Sequence, residues 1–299
     1  MSGAISRITR VAVTEWAVAV RSRRALVVTL LFLAVSGGLM YMMVSVFASL
    51  EETLVETLNL PASDSTGSVT MTLWKSKPFT RMVQHFAGSS LVFADIQGRH
   101  PIVLAYAMLV FWCAPLLTLM VSASRVADDI RSGAARYWLV RVTRTEWSLG
   151  KMLGEALMLA TAMGIGALAA DAVVCARLTP ADGIRLLPDV FDWTVRAWVY
   201  AFAWLGIFMG LSHLVKSGGK ATALGVLAML GAAAWEPMLK NLAENVAGFG
   251  WAGHLDALVP GSAWTLLWRR SPAVVLQGVV HLAALAFLYL ALGAAVLRR

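Results

Sequence analysis

Six predominantly apolar runs of 19 to 25 residues constrain this chain more than any other feature: 25–47, 102–124, 152–175, 197–215, 221–239 and 273–297. About 20 helical residues cross a bilayer's hydrocarbon core. In lipid every backbone N–H and C=O must be satisfied within the segment, so such runs are expected as helices. Only 14% of the 299 residues are charged, against 59% hydrophobic. A soluble domain is about a quarter charged. The expected fold is therefore an all-α integral membrane protein, one transmembrane domain of six spans over residues 1–299.

The net charge of +8 is better explained by orientation than by nucleic acid. Fifteen Lys and Arg lie before the first run, in 125–151, in 216–220 and at the C-terminus, against ten in the three alternate and longer connections. Positive charge collects on the cytoplasmic side. Both termini are thus expected in the cytoplasm of a multi-pass protein of the plasma (inner) membrane. The first run, starting near Ala25, is too long for a signal-peptide core and is expected to be retained. Cys113 and Cys175 lie in or at the end of apolar runs, so no disulfide framework is implied.

Residues 1–24 suit an interfacial helix. Ile5, Ile8, Ala12, Val13, Trp16, Ala19 and Val20 fall on one face, with Arg7, Arg10, Thr14 and Arg21 opposite. This is expected to be an elbow lying in the membrane plane. Residues 48–100 form a long extracytoplasmic loop, with short helices at 50–60 and 79–93 and a turn cluster at Asp64, Ser65, Thr66 and Gly67. Residues 240–272 hold Trp251, Trp264 and Trp268 with Gly248, Gly250 and Gly253. They are too apolar for a free loop and too broken for a span, so interfacial or re-entrant helices are expected before the sixth span.

Enzyme chemistry is hard to place. His85, His100, His213, His254 and His281 show no close metal-ligand spacing, and no GxSxG nucleophile motif occurs. Ser217-Gly218-Gly219-Lys220 is no phosphate loop, because Leu214 stands where Gly is needed and Ala221 where Ser or Thr is needed. Glu155, Asp171 and Glu236 interrupt apolar runs and are candidates for cavity-lining or structural roles. Gly206 with Gly210, and Gly150 with Gly154, have the spacing that lets helices approach closely, by default within one chain.

Residues 125–151 carry the strongest signal. Six basic and three acidic residues interleave with Tyr137, Trp138 and Leu139. Thr143 and Glu146 have capping-box spacing, and Val142 with Trp147 that of a hydrophobic staple, so a helix is expected to begin near Arg144. A short separate helix is expected at about 131–140, suited to dock a cytoplasmic partner.

These residues resemble the membrane subunit of ATP-binding-cassette exporters of the type-2 permease class, related to permeases of copper-enzyme maturation and of multidrug or polysaccharide export. The matching positions are Asp129 and Gly133, Tyr137-Trp138-Leu139, Arg144 and Gly150-Lys151, together with Glu15 and Arg21-Ser22-Arg23-Arg24 before the first span. Ala134 replaces the usual Thr, and Val142 and Thr143 stand near the missing Pro. The resemblance implies a half-transporter that pairs with a second permease copy or a homologous permease. It also implies a separate ATPase subunit that carries ATP and Mg, with no cofactor in this chain and membrane lipids around it. It assigns ATPase coupling to Asp129, Arg131, Gly133, Arg136, Tyr137, Trp138, Arg141 and Arg144. Two other readings stand beside it: an ion-coupled secondary transporter using Asp171 or Glu236, and a membrane haem or metal protein using His213 and His281. Spans offering Trp, Met and Ala favour a lipidic or amphipathic cargo.

Overall fold

The computed structural model describes residues 2–58, 74, 77–177, 180–245 and 250–296. Every regular element among them is helical. The chain opens with α1 (Ser2–Val20) and bends into α2 (Arg23–Leu58). Ser22 makes the joint: its hydroxyl donates to the Ala19 carbonyl at 2.7 Å and accepts from the Ala25 N–H at 3.1 Å. No separate helix begins near residue 50, because α2 continues unbroken to Leu58. The Asp64–Gly67 cluster lies outside the described residues.

Two short helices follow, α3 (Lys77–Ala87) and α4 (Ser90–Ile96). Gly88, at φ +64°, turns the chain between them, and the Ser89 hydroxyl caps α4 by accepting from the Val92 N–H. Then α5 (Pro101–Ser122) starts on a proline whose missing N–H costs nothing at a first helical position.

The basic loop is two short helices rather than the single one expected at 131–140. They are α6 (Arg125–Ser132) and α7 (Ala134–Leu139), parted by Gly133 at φ +78°. That left-handed backbone ends α6 cheaply only with glycine. Helix α8 (Arg144–Arg177) starts where the capping box places it. The Glu146 N–H donates to Thr143 Oγ1 at 3.3 Å, and the Thr143 N–H donates to Glu146 Oε2 at 2.9 Å. Helix α9 (Pro180–Ser212) and helix α10 (Gly218–Asn245) follow, then a 3-10 segment (Gly250–Leu258), α11 (Pro260–Leu267) and α12 (Pro272–Val296).

Among the described residues, five stretches are long and apolar enough to cross a membrane: Ala25–Ser49, Pro101–Ser132, Arg144–Arg177, Ile184–Ser212 and Pro272–Val296. The protein is thus a multi-pass membrane protein. The run expected as a further span, 221–239, lies in α10, which is not among the five.

The bundle is built on α8 and α9. Helix α8 packs against α1, α2 and α9, while α9 also packs against α5 and α12. Glycines set the two closest approaches. A Cβ on Gly150 would sit 2.6 Å from Val11 Cβ, and one on Gly154 would sit 2.7 Å from Glu15 Cβ, so α1 lies tight on α8. Gly206 and Gly210 meet the α12 backbone at Ala286 and Tyr289 in the same way. Both small-residue pairs are therefore used inside the chain.

At the end of the bundle away from α6 and α7, aromatics hold α11. Trp193 and Trp268 approach to 4.6 Å, and Phe111 contacts both Trp264 and Trp268. Arg196 donates to the Leu267 and Arg269 carbonyls at 2.7 and 2.9 Å, satisfying acceptors that the end of α11 leaves open. Asp95 of α4 pairs with Arg269.

Candidate functional site

The basic-rich end of the bundle contains a buried knot of charge. Lys151, one turn into the enclosed part of α8, is only 2% exposed. Its ammonium donates to Glu15 Oε2 of α1 at 3.0 Å and to Asp129 Oδ2 of α6 at 2.6 Å. One turn further along α8, Glu155 is fully enclosed, and its carboxylate lies 2.9 Å from Arg125 Nε at the start of α6. Two bases therefore meet three acids where α1, α6 and α8 converge. An isolated charge at such a place is costly, and pairing is what makes it tolerable. Arg7 of α1 adds a second tie to α8, donating to Glu146 at 2.6 Å.

Helix α6 touches more than α8. The Ala127 N–H donates to Ser212 Oγ at the end of α9, at 3.0 Å. The Asp128 carboxylate lies against Gly218 at the start of α10, where a Cβ would come within 2.5 Å of Oδ1. So eight residues hold direct contacts to α8, α9 and α10, and through Lys151 to α1. Ser148 and His213 add a buried link between α8 and the end of α9 at 3.0 Å.

The coupling residues expected from sequence divide into two groups. Asp129 belongs to the knot. Arg131 is a surface residue that meets Asp128 at 3.3 Å, and Gly133 makes the break. Arg136 and Arg141 are exposed, Trp138 is half-buried against the core, and Arg144 opens α8. Tyr137 and Val140 are the most solvent-facing large apolar side chains of the described residues, at 82% and 86% exposure. An aromatic and a branched aliphatic side chain are thus held out to solvent beside two exposed arginines.

The other candidates do not gather here. Asp171, near the far end of α8, accepts from the Cys175 thiol at 3.8 Å. Glu236 is on α10, and its side chain lies outside the described ones. His213 is bonded to Ser148 and, at 2.7 Å, to the Met209 carbonyl, whereas His281 Nε2 lies 2.8 Å from the Ala257 carbonyl. Each imidazole has its own structural partners. Sequence reasoning singled out Glu15, Lys151 and Glu155 separately but did not join them. The available signal was the four-residue spacing of Lys151 and Glu155, which places both on one face of α8.

Several apolar spans, a charged junction at one end and an exposed short helix beside it define a multi-pass membrane protein. The family follows from comparison: residues 9–299 match the model of the ABC-2 family transporter proteins, so the chain belongs to that family and is a membrane permease subunit of an ABC transporter. No match was found among curated proteins.

Proposed function

We propose that this chain is the membrane half of an ATP-driven exporter, worked by a separate ATPase subunit that grips α6 and α7 from the cytoplasm. The observation that carries this is the position of α6, which is bonded to α8 and α9, abuts α10, and reaches α1 through Lys151. A displacement of α6–α7 has to move those helices, because the buried charges cannot part without desolvated ions being left alone. Tyr137 and Val140, with Arg136 and Arg141, supply the docking surface. ATP and Mg sit on the partner, and α1 acts as the elbow in the membrane plane. Both termini face the cytoplasm of the plasma membrane, and α10 completes the set of six spans. Two copies of this chain, or this chain and a homologous permease, enclose the pathway. Alternation between inward- and outward-facing packings then moves the cargo.

The test is co-expression of the chain with an ABC ATPase subunit from the same source, followed by co-purification and ATPase assay. Tyr137→Asp with Val140→Asp should abolish co-purification while leaving the permease monodisperse. If the double variant still captures the ATPase and stimulates it as the parent does, α7 is not the docking helix. The ion-coupled alternative predicts transport that persists without any ATPase and collapses with the proton gradient.

A further inference from the structure

A cleft of about 420 Å³ opens between the start of α2 and the start of α10, with the end of α5 as its floor. Its lining is divided by chemistry. Arg23, Ser124 and Thr222 stand at its polar end, while Val27, Val28, Leu119 and Met120 form the apolar remainder. No acid lines it. Arg23 is exposed and has no carboxylate partner among the described residues, although ion pairs occupy Arg7, Arg125 and Lys151 nearby in the same end of the bundle. Thr222 donates its hydroxyl proton to the Gly218 carbonyl at 3.0 Å, which leaves its oxygen lone pairs as acceptors. Exposed Arg21 and Lys220 stand two residues from Arg23 and Thr222 in the chain, and Asp128, the acid that lies against Gly218 at the start of α10, is paired with Arg131.

A cation above an apolar trough, at the level where helices start, matches one molecule in shape and charge. We propose that the cleft holds an anionic phospholipid of the cytoplasmic leaflet, its phosphate against Arg23 and the upper part of one acyl chain along Val27, Val28, Leu119 and Met120. A zwitterionic headgroup would bring its own cation toward Arg23 and the flanking bases. A water-soluble phosphate would leave the apolar part of the cleft unused. The lipid lies between α2 and α10, each of which packs against α5, and so fills a gap between helices that a transport cycle displaces. The leaflet assignment rests on the orientation proposed above; the binding itself does not.

The experiment uses the full-length chain in dodecyl maltoside, with native mass spectrometry to count bound lipid. Phosphatidylglycerol and phosphatidylcholine with identical chains are titrated, and glycerophosphoglycerol, the same headgroup without chains, is the competitor. Phosphatidylglycerol should bind about fivefold tighter than phosphatidylcholine, the weight of one basic side chain facing an anionic lipid. Arg23→Gln should remove that preference, and Arg10→Gln, an exposed cation outside the cleft, should keep it. Val27→Trp, which fills the trough, should weaken both lipids. Equal preference in Arg23→Gln and the parent overturns the proposal, as does equal loss in Arg10→Gln, which would mean a diffuse basic surface. Competition by glycerophosphoglycerol as strong as by the lipid would mean a site for a free anion and also overturns it. Separately, Gly219→Cys labelled by a membrane-impermeant thiol reagent from outside cells would overturn the orientation while leaving the detergent binding result standing.

Discussion

Replacing Lys151 with Met should destabilise the protein by about 3 kcal/mol. The ammonium is 2% exposed and holds two carboxylates from two other helices, Glu15 and Asp129, which are 13% and 25% exposed. Deleting one member of a buried ion pair costs about 3–5 kcal/mol, because the partner charges stay behind without compensation. The lower end applies here, since both carboxylates keep some water to screen them. Methionine fills nearly the same volume, so little of the loss arises from a cavity. Unfolding in mixed micelles of rising dodecyl sulfate content measures the effect. Asp129→Asn, and the double variant with Lys151→Met, complete a cycle that isolates the pair. A coupling energy above about 1 kcal/mol is expected for groups in direct contact. If the two substitutions add to within about 0.5 kcal/mol, the knot does not join α6 to α8 energetically and its role as a transmission point fails. Under the proposed coupling to an ATPase subunit, Lys151→Met should also leave ATP hydrolysis running but separate it from transport.

Two further outcomes follow from the packing and the charges. Gly206→Leu should cost about 3 kcal/mol or more, because its side chain would occupy the α12 backbone at Ala286, whereas Gly231→Ala on the open face of α10 should stabilise by up to about 1 kcal/mol; thermal shift in detergent ranks them, and equal effects would refute the close α9–α12 approach. The Arg269 guanidinium holds the Asp95 carboxyl below its ordinary range, so the tie between α4 and the turn after α11 contributes stability above about pH 4 that is lost as pH falls further. Asp95→Asn should flatten that acid limb, read as protease cutting near residues 97–100 between pH 3 and 6. An unchanged acid limb in the variant would place the titration elsewhere.

Much of this protein is written in its local sequence. Long apolar runs have one stable form in lipid, so the helical class follows from composition and length alone. Thr143 and Glu146 start α8 because a capping box needs only residues three apart. Gly133 was legible as a motif position, but its positive φ was not, and it divides one expected helix into α6 and α7. A local signal decides where a helix starts; it does not decide what the helix touches. That Lys151 finds Glu15 from 136 residues away, and Asp129 from 22, depends on how α1 and α6 lie against α8. Gly150 and Gly154 permit that approach without specifying the partner, since any smooth helix fits a small-residue groove. The sequence alone determined that the chain crosses a membrane and carries a basic junction at one end. Only the tertiary structure decided which acids neutralise which bases there, because pairing of buried charges is fixed by three-dimensional distance and the cost of leaving any one of them alone.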